Sequence, residues 1–302
     1  MLVDSSTRLL VQGITGREAA NFTRECLDYG TWLVAGVTPG KGGAEVYGVP
    51  VFDTVAQAVR KTNINASLIS VPPLLVLDAV LEALASDLEL IVIITERVPR
   101  RDVAILLAAA ETAGCRVIGP NSLGLITPAV CKVGSIGGPA RDVGRAYTPG
   151  RVGVASRSGG MTTELASMLS ARGIGQSTCI SVGGDPLLGT TLLDAYRLFD
   201  ADPETDVVVT FSEPGGDQEI ELAEELEAMG VRTPVVGVVA GRFVDEMPGT
   251  RFGHAGTMVQ AGGLSTEEKV RRLQTAGVHV VRRLSDLPGE VARRLDTATE
   301  AA

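Results

Sequence analysis

Two doubly wound α/β domains are the architecture this sequence predicts. Short apolar runs rich in β-branched residues alternate with amphipathic stretches of about 10–15 residues, the mark of βαβ units around a parallel sheet covered on both faces. The alternation stops over Leu123 to Gly150, a glycine- and proline-rich stretch with no clear helical period, and then restarts. A chain of 302 residues also exceeds the roughly 100–200 that one domain ordinarily uses. The boundary is expected near residue 148, giving domains 1–148 and 149–302.

The first half reads as a strand at Arg8 to Gly13, a helix from Arg17 to Tyr29 and a strand from Trp32 to Val37. A helix over Thr54 to Arg60 leads to a strand from Ala66 to Val71, which Pro72-Pro73 stops because proline has no N–H for the ladder. Helix Leu75 to Ala85, strand Leu88 to Thr95, helix Asp102 to Ala113 and strand Cys115 to Gly119 follow, the last stopped by Pro120. The second half opens with strand Val152 to Ala155, helix Gly160 to Ala171, strand Thr178 to Val182, helix Thr190 to Phe199 and strand Val207 to Phe211. Helix Gln218 to Met229, with a mostly acidic outer face, precedes strand Val235 to Val239 and a glycine-rich loop over Gly241 to Gly263. Helix Glu267 to Ala276, a short strand at Val278 to Val281 and a helical tail from Ser285 complete the chain.

Composition narrows the function. Hydrophobic residues make up 45% and charged residues 21%, an ordinary globular balance with material for a core. The net charge of −9 and the lack of a basic run argue against nucleic acid as a partner. The longest apolar runs fall far short of the roughly 20 residues that span a bilayer, so no membrane segment is expected. Met1 to Arg8 is polar, with no apolar leader core, and the expected location is cytoplasmic. Cys26, Cys115, Cys131 and Cys179 are scattered and form no C-x-x-C pair. With only His254 and His279 beside them, no metal site is expected, and the thiols read as reduced core residues.

Ligands of doubly wound sheets bind beyond the carboxyl ends of the strands, and the notable residues fall there. Gly13-Ile14-Thr15-Gly16-Arg17-Glu18 follows the first strand and opens a helix, where unpaired N–H groups suit a phosphate. The spacing is G-x-x-G, not the dinucleotide fingerprint. Thr38-Pro39-Gly40-Lys41-Gly42-Gly43 follows the second strand, but its spacing from Gly36 excludes a P-loop. Lys41 is one of only four lysines, with Lys61, Lys132 and Lys269, and a flexible point charge in a glycine loop suits a phosphate. Val71-Pro72, Ile94-Thr95-Glu96 and Asn121-Ser122 end later strands and line the same expected crevice, with Glu96 placed to accept from a ribose or an adenine amine.

The second half carries three more sites. Ser156-Arg157-Ser158-Gly159-Gly160 ends a strand and opens a helix, either an anion cradle or a plain serine cap. It fails as a hydrolase elbow, because Ser156 stands where G-x-S-x-G requires glycine. Gly253-His254-Ala255-Gly256 gives a histidine little to pack against, which favours a mobile nucleophile or base. His279 lies in an apolar strand pattern and reads as structural. Glu213, at another strand end, can hydrogen-bond one imidazole nitrogen and orient the other.

In this order and spacing the motifs resemble the α subunits of succinyl-CoA synthetase and the wider NDP-forming acyl-CoA ligases, a superfamily that includes ATP-citrate lyase. The resemblance covers about residues 8 to 290. It implies a Rossmann-like, coenzyme A-binding domain followed by a flavodoxin-like ligase domain. Gly13, Thr15, Gly16, Arg17, Glu18, Pro39, Lys41, Val71, Pro72, Ile94, Thr95, Glu96, Asn121 and Ser122 are implied to bind coenzyme A. His254 is implied to be phosphorylated, Glu213 to position it, and Ser156, Ser158 and Gly159 to hold the phosphate. A β subunit with an ATP-grasp fold is implied as partner, bearing the site for ATP or GTP with Mg; a small carboxylic acid is the implied substrate.

This chain departs from succinate-type members at named places. Their Ser-Gly-Thr-Leu-Thr-Tyr-Glu is here Ser158-Gly159-Gly160-Met161-Thr162-Thr163-Glu164, so Thr163 stands where a tyrosine borders the acid, leaving space and a hydroxyl. That version, and Lys132 to Gly138, look more like ATP-citrate lyase and suit citrate or malate. Asn-Cys-Pro-Gly has become Asn121-Ser122-Leu123-Gly124, and Pro214 replaces an isoleucine after Glu213, which is expected to shift that carboxylate slightly. A catalytically silent, coenzyme A-binding regulatory subunit is the alternative from a different class.

Overall fold

The computed structural model describes residues 2–241 and 264–301. Its chain contacts divide into two compact units, one of Leu2–Val143 with Leu187–Thr190, the other of Gly144–Pro186 with Thr191–Ala302.

The first unit contains β1 (Leu9–Gln12), α1 (Arg17–Tyr29), β2 (Leu33–Val37), β3 (Glu45–Val46), β4 (Val49–Phe52), α2 (Val55–Val59) and β5 (Ala66–Ile69). It continues with α3 (Val76–Leu84), β6 (Leu90–Ile93), α4 (Arg100–Ala113), β7 (Arg116–Ile118), β8 (Gly124–Thr127) and β9 (Cys131–Val133), before α5 (Ala140–Ala146). The sheet order is β3-β4-β2-β1-β5-β6-β7, parallel throughout except for β3 against β4. Without β3 this is the 3-2-1-4-5-6 order of a dinucleotide-binding sheet, whose crossover reverses between β1 and β5. All four residues of β1, β5 and β6 are buried, as helices on both faces require. Gln12 is the polar exception on β1, and its amide donates to Ser67 Oγ on β5 (3.1 Å) and to the Ala79 carbonyl on α3 (3.0 Å). One core cluster packs Leu10, Ile69 and Ile91 of the sheet against Val80 of α3 and Leu106 of α4.

The second unit contains β10 (Pro149–Ser156), α6 (Gly159–Ser170), β11 (Gln176–Ser181), α7 (Leu192–Asp200) and β12 (Val207–Ser212). After them come α8 (Gln218–Met229), β13 (Val235–Val239), α9 (Thr266–Thr275), β14 (His279–Val280) and α10 (Leu287–Ala301). Its strands follow the order β14-β13-β12-β10-β11, all parallel. Numbered within the unit this is 2-1-3-4-5, the flavodoxin-like order, with the reversal between β10 and β12. Both expected doubly wound domains are therefore present.

Three local expectations change. The stretch after Leu123 is ordered: β8 and β9 form an antiparallel pair, and α5 follows. Their signal was hidden by glycines at forced positions, such as Gly124 (φ +97), where an added Cβ would strike the Val133 carbonyl. Strands β3 and β4, unforeseen at the sequence level, are short and flank Gly48 (φ +81). The acidic face of α8 is not wholly outward, because Glu219 is 1% exposed. The cysteines are free, as expected; burial pushes Cys26 and Cys131 up to about 11 and raises Cys179 well above the ordinary thiol value, so they stay thiols at neutral pH.

Gly153 shows how closely α7 rides on β10. A Cβ there would lie 2.5 Å from the Phe199 ring, itself fully buried. Gly153→Ala is expected to cost about 1–3 kcal/mol through overpacking, read as a lower urea midpoint at unchanged slope.

Candidate functional site

In the first unit the residues singled out from the sequence collect at the carboxyl ends of β1, β2, β5, β6 and β7. The turn after β1 works only with glycine. Gly13 has φ +81, and a Cβ would strike the Ser70 carbonyl beyond β5 and come within 2.9 Å of Val71 Cγ1. The Gly13 carbonyl accepts from Gly16 N–H at 2.8 Å, closing the turn that launches α1. Gly16 caps α1 without a side chain, so the first N–H groups, at Arg17 and Glu18, receive no side-chain cap. Thr15, Gly16, Arg17 and Glu18 are all exposed around that helix end.

The loop after β2 is fastened to this turn. Thr15 Oγ1 donates to Thr38 Oγ1 at 3.2 Å, and Thr38 Oγ1 donates to the Val37 carbonyl at 2.8 Å. Lys41 N–H donates to the Thr38 carbonyl (3.1 Å), and Gly42 N–H to Asp53 Oδ1 (2.8 Å). The backbone is thereby fixed while the Lys41 side chain stays exposed beside Pro39. Beyond β5 and β6, Thr95 Oγ1 donates to the Val71 carbonyl at 2.8 Å, and Asn121 N–H donates to the Thr95 carbonyl at 3.0 Å. Val71, Thr95 and Asn121 thus form one continuous ridge, with Pro72, Ile94 and Glu96 beside them in the chain. Glu96 is exposed and pairs only loosely with Arg97 at 3.5 Å. Ser122 is turned inward: it is buried, and its Oγ accepts from Gly124 N–H at 2.8 Å. The exchange of cysteine for serine therefore sits beneath the crest, where it shapes the turn.

In the second unit the reversal between β10 and β12 brings the Ser156 and Glu213 segments side by side, Ser156 pairing in register with Phe211. Ser156 is buried; its Oγ donates to the Ser158 carbonyl (2.7 Å) and accepts from Ser158 N–H (3.1 Å). Ser158 is the N-cap of α6, its Oγ accepting from Met161 N–H at 3.4 Å. Both hydroxyls thus build the helix start, while the leading N–H groups of Gly159 and Gly160 have no acceptor within the helix. The Thr163 hydroxyl hydrogen-bonds the buried Tyr147 phenol at 2.8 Å, a partner from before β10 that no nearby sequence motif announces. Pro214, after Glu213, fits against Gly241, where a Cβ would strike the proline ring. His254 lies outside the described residues. No group of three or more His, Cys, Asp or Glu suited to a metal ion occurs among the described residues, and no described helix is long and apolar enough to cross a membrane.

Residues 4–97 match the family model described as CoA binding domain, and residues 155–279 match CoA-ligase. "Succinate--CoA ligase [ADP-forming] subunit alpha" of Aquifex aeolicus is 41% identical over 297 residues, 98% of this chain and 94% of that protein. The corresponding "subunit alpha 1" of Archaeoglobus fulgidus is 41% identical over 98% of both chains. The chain belongs to the succinate–CoA ligase α-subunit family. Among solved structures, an ATP citrate lyase from Methanosaeta concilii superposes with a TM-score of 0.90 at 24% identity, covering 98% of this chain and 51% of that one. The chain thus spans about half of that lyase and shares its fold over that half.

Several residues of this succinate–CoA ligase family member have partners that the sequence does not announce: Thr38, Asp53, Tyr147, Arg157, Glu219 and Lys269. The scarcity of lysine was the one available signal, and it was applied to Lys41 alone. Lys132 is fully buried, donating to the Gly138 carbonyl at 2.6 Å and to Glu25 at 3.2 Å. His279, on β14, borders a cavity of about 620 Å³ with Arg282, Glu290, Arg293 and Arg294, apart from every residue singled out above. Partial burial lowers the His279 pKa, the Arg294 guanidinium 3.0 Å away lowers it further, and Glu290 opposes both. The unfolded chain then binds more protons than the folded one below the ordinary value of 6.5, so this residue withdraws stability as pH falls through that range. His279→Gln is expected to flatten the decline in urea midpoint between about pH 7 and pH 5.5; an unchanged slope removes His279 from the acid response.

Proposed function

We propose that this chain is the α subunit of an NDP-forming carboxylate–CoA ligase, with succinate as the leading acid. The observation that carries the reading is likeness across nearly the whole chain to relatives named succinate–CoA ligase [ADP-forming] subunit alpha. That name supports ATP as the phosphoryl donor, and a β subunit of ATP-grasp fold as the partner that binds it with Mg. In this reading residues 1–148 bind coenzyme A and residues 149–302 carry the ligase chemistry.

Coenzyme A is a polyanionic substrate, and the first unit offers it a matching crest. The uncapped start of α1 presents N–H groups and the positive dipole end to phosphate. Gly13 and Gly16 bring backbone close, and Lys41 supplies a point charge from a fixed loop. The ridge of Val71, Thr95 and Asn121, with Pro72, Ile94 and Glu96, lines the remainder, and Ser122 supports it from below.

In the second unit His254 attacks the γ-phosphorus of the triphosphate, displacing the diphosphate and forming an N–P bond. That bond breaks when a carboxylate oxygen takes the phosphoryl group, giving an acyl phosphate. The thiol sulfur of coenzyme A then attacks the acyl carbon, loses its proton, and inorganic phosphate leaves. Glu213 orients the imidazole, and the N–H groups of Gly159 and Gly160 stabilise charge on the moving phosphoryl group, within a turn held by Ser156 and Ser158. A bulkier acid is the second reading, favoured by Gly160-Met161 and by Thr163 where succinate-type members carry a tyrosine.

The pair of subunits, incubated with γ-labelled ATP, is expected to carry acid-labile phosphate on His254, discharged by coenzyme A plus one acid among succinate, malate and citrate. His254→Ala should lose both label and acyl-CoA formation while retaining coenzyme A binding; turnover in that variant would overturn the phosphohistidine. Formation of the complex with coenzyme A bound but no label from ATP or GTP would favour the silent subunit. Lys41→Ala is expected to weaken coenzyme A binding by about 1.5–3 kcal/mol, the range for a hydrogen bond to a charged group, measured by calorimetry. Unchanged affinity would remove Lys41 from the site.

A further inference from the structure

Beneath the turn that follows Glu213 lies a cluster of charge that the chemistry above does not use. Arg157, Lys269 and Glu219 are 2%, 3% and 1% exposed, from the β10–α6 turn, α9 and α8 respectively. Arg157 Nη1 donates to the Gly215 carbonyl at 2.8 Å. Lys269 Nζ lies 3.3 Å from the same carbonyl, donates to the Gly216 carbonyl at 2.5 Å, and pairs with Glu219 Oε2 at 3.1 Å. From the other side Gly241 leaves room for Pro214 that no other residue would leave. Every residue of Pro214-Gly215-Gly216 is thus gripped.

Burying charge costs several kcal/mol per ion unless pairing is complete, and here it is incomplete. Arg157 Nε and Glu219 Oε1 are buried without a hydrogen-bond partner among the described residues. Apolar residues of similar volume would serve stability as well. What they would not do is hold two successive carbonyls of a turn with φ +81 and +72. A backbone so bent, with no ladder of its own, keeps one shape only if its carbonyls are held.

We infer that Arg157 and Lys269, with Glu219 as the lysine's counter-ion, clamp the Pro214–Gly216 turn and thereby position the Glu213 carboxylate against the start of α6. These are positioning residues, and the inference rests on the proposed role of Glu213. Arg157 lies between Ser156 and Ser158 in the chain, so one guanidinium ties the start of α6 to the turn bearing the carboxylate. Lys269 lies on α9, so it ties the same turn to that helix.

The test combines two readouts on the co-expressed subunits. Amide hydrogen exchange at Gly215, Gly216 and Asp217 reports the clamp whether or not the protein turns over. Acyl-CoA formation reports its consequence. Lys269→Met is expected to speed exchange at those amides about tenfold or more and to lower kcat by about 10- to 100-fold, as displacement of a catalytic group by about an ångström does. KM for coenzyme A should stay within about twofold, because the first unit is untouched. Glu219→Gln, which leaves both carbonyl contacts, should change exchange and kcat far less, and Lys61→Met, at an exposed lysine, should change neither. Should Lys269→Met fail to fold, Arg157→Lys withdraws the other arm and is read in the same way. Unchanged exchange with unchanged kcat overturns the clamp. Faster exchange with unchanged kcat also overturns it, since Glu213 would then not depend on the turn. Failure of the wild-type pair to form acyl-CoA would count against the ligase reading instead, with exchange still deciding whether the turn is clamped.

Discussion

Where a doubly wound sheet reverses its crossover, two neighbouring strands send their chains away in opposite directions and a crevice opens, and the backbone that lines it here is packed too tightly for side chains. That crowding governs this protein. At the first reversal Gly13 passes so close to the Ser70 carbonyl that no side chain fits. One strand over, Gly36 leaves its space to Ile14, fully buried within the turn itself. The second unit meets the constraint differently. There the strand ends are filled by a buried serine, a buried arginine and a proline seated on a glycine. Close packing of backbone on backbone leaves the helix that follows aimed at open space, and a helix beginning in open space offers N–H groups to whatever anion arrives.

The two helix starts are finished unlike one another, and the difference suits different tasks. Gly16 gives α1 no side-chain cap, so its first N–H groups compete with nothing but water. Glycine in place of a serine or aspartate cap costs only about a few tenths of a kcal/mol, so this open start is cheap to keep. Ser158 caps α6 from its own side chain, at a rather long 3.4 Å, and Ser156 braces it. Such a start satisfies one of its own N–H groups from its side chain. A third helix, α7, has a full capping box in which Thr191 and Asp194 satisfy each other, and it bears no residue singled out for chemistry.

Much of this was legible in the sequence because strand ends announce themselves. Helix α1 over Arg17–Tyr29 and helix α8 over Gln218–Met229 follow the expected limits, since apolar periodicity is decided locally. The candidate residues of the first unit were legible for the same reason: each directly follows a β-branched run. What stayed hidden depends on distance in the chain. Glu219 looked like one more acid on an acidic helix until Lys269, fifty residues on, came to lie 3.1 Å away. Asp53 gave no sign of holding Gly42, and Tyr147 none of meeting Thr163. Each of these residues is chemically ordinary, and its significance comes from a partner brought to it by the fold.

The departures from the succinate-type pattern are best judged by what now touches them. Proline after Glu213 suggested a displaced carboxylate, but the ring is received by Gly241, a position whose φ of +87 favours glycine in any case. The two residues fit as a pair, and the turn between them and Gly216 is held by Arg157 and Lys269. Nothing in that arrangement requires the carboxylate to move. Thr163 is the more consequential change. Its hydroxyl hydrogen-bonds the buried Tyr147 phenol at 2.8 Å, so the polar group that the threonine introduces is satisfied within the unit by a residue sixteen positions earlier in the chain.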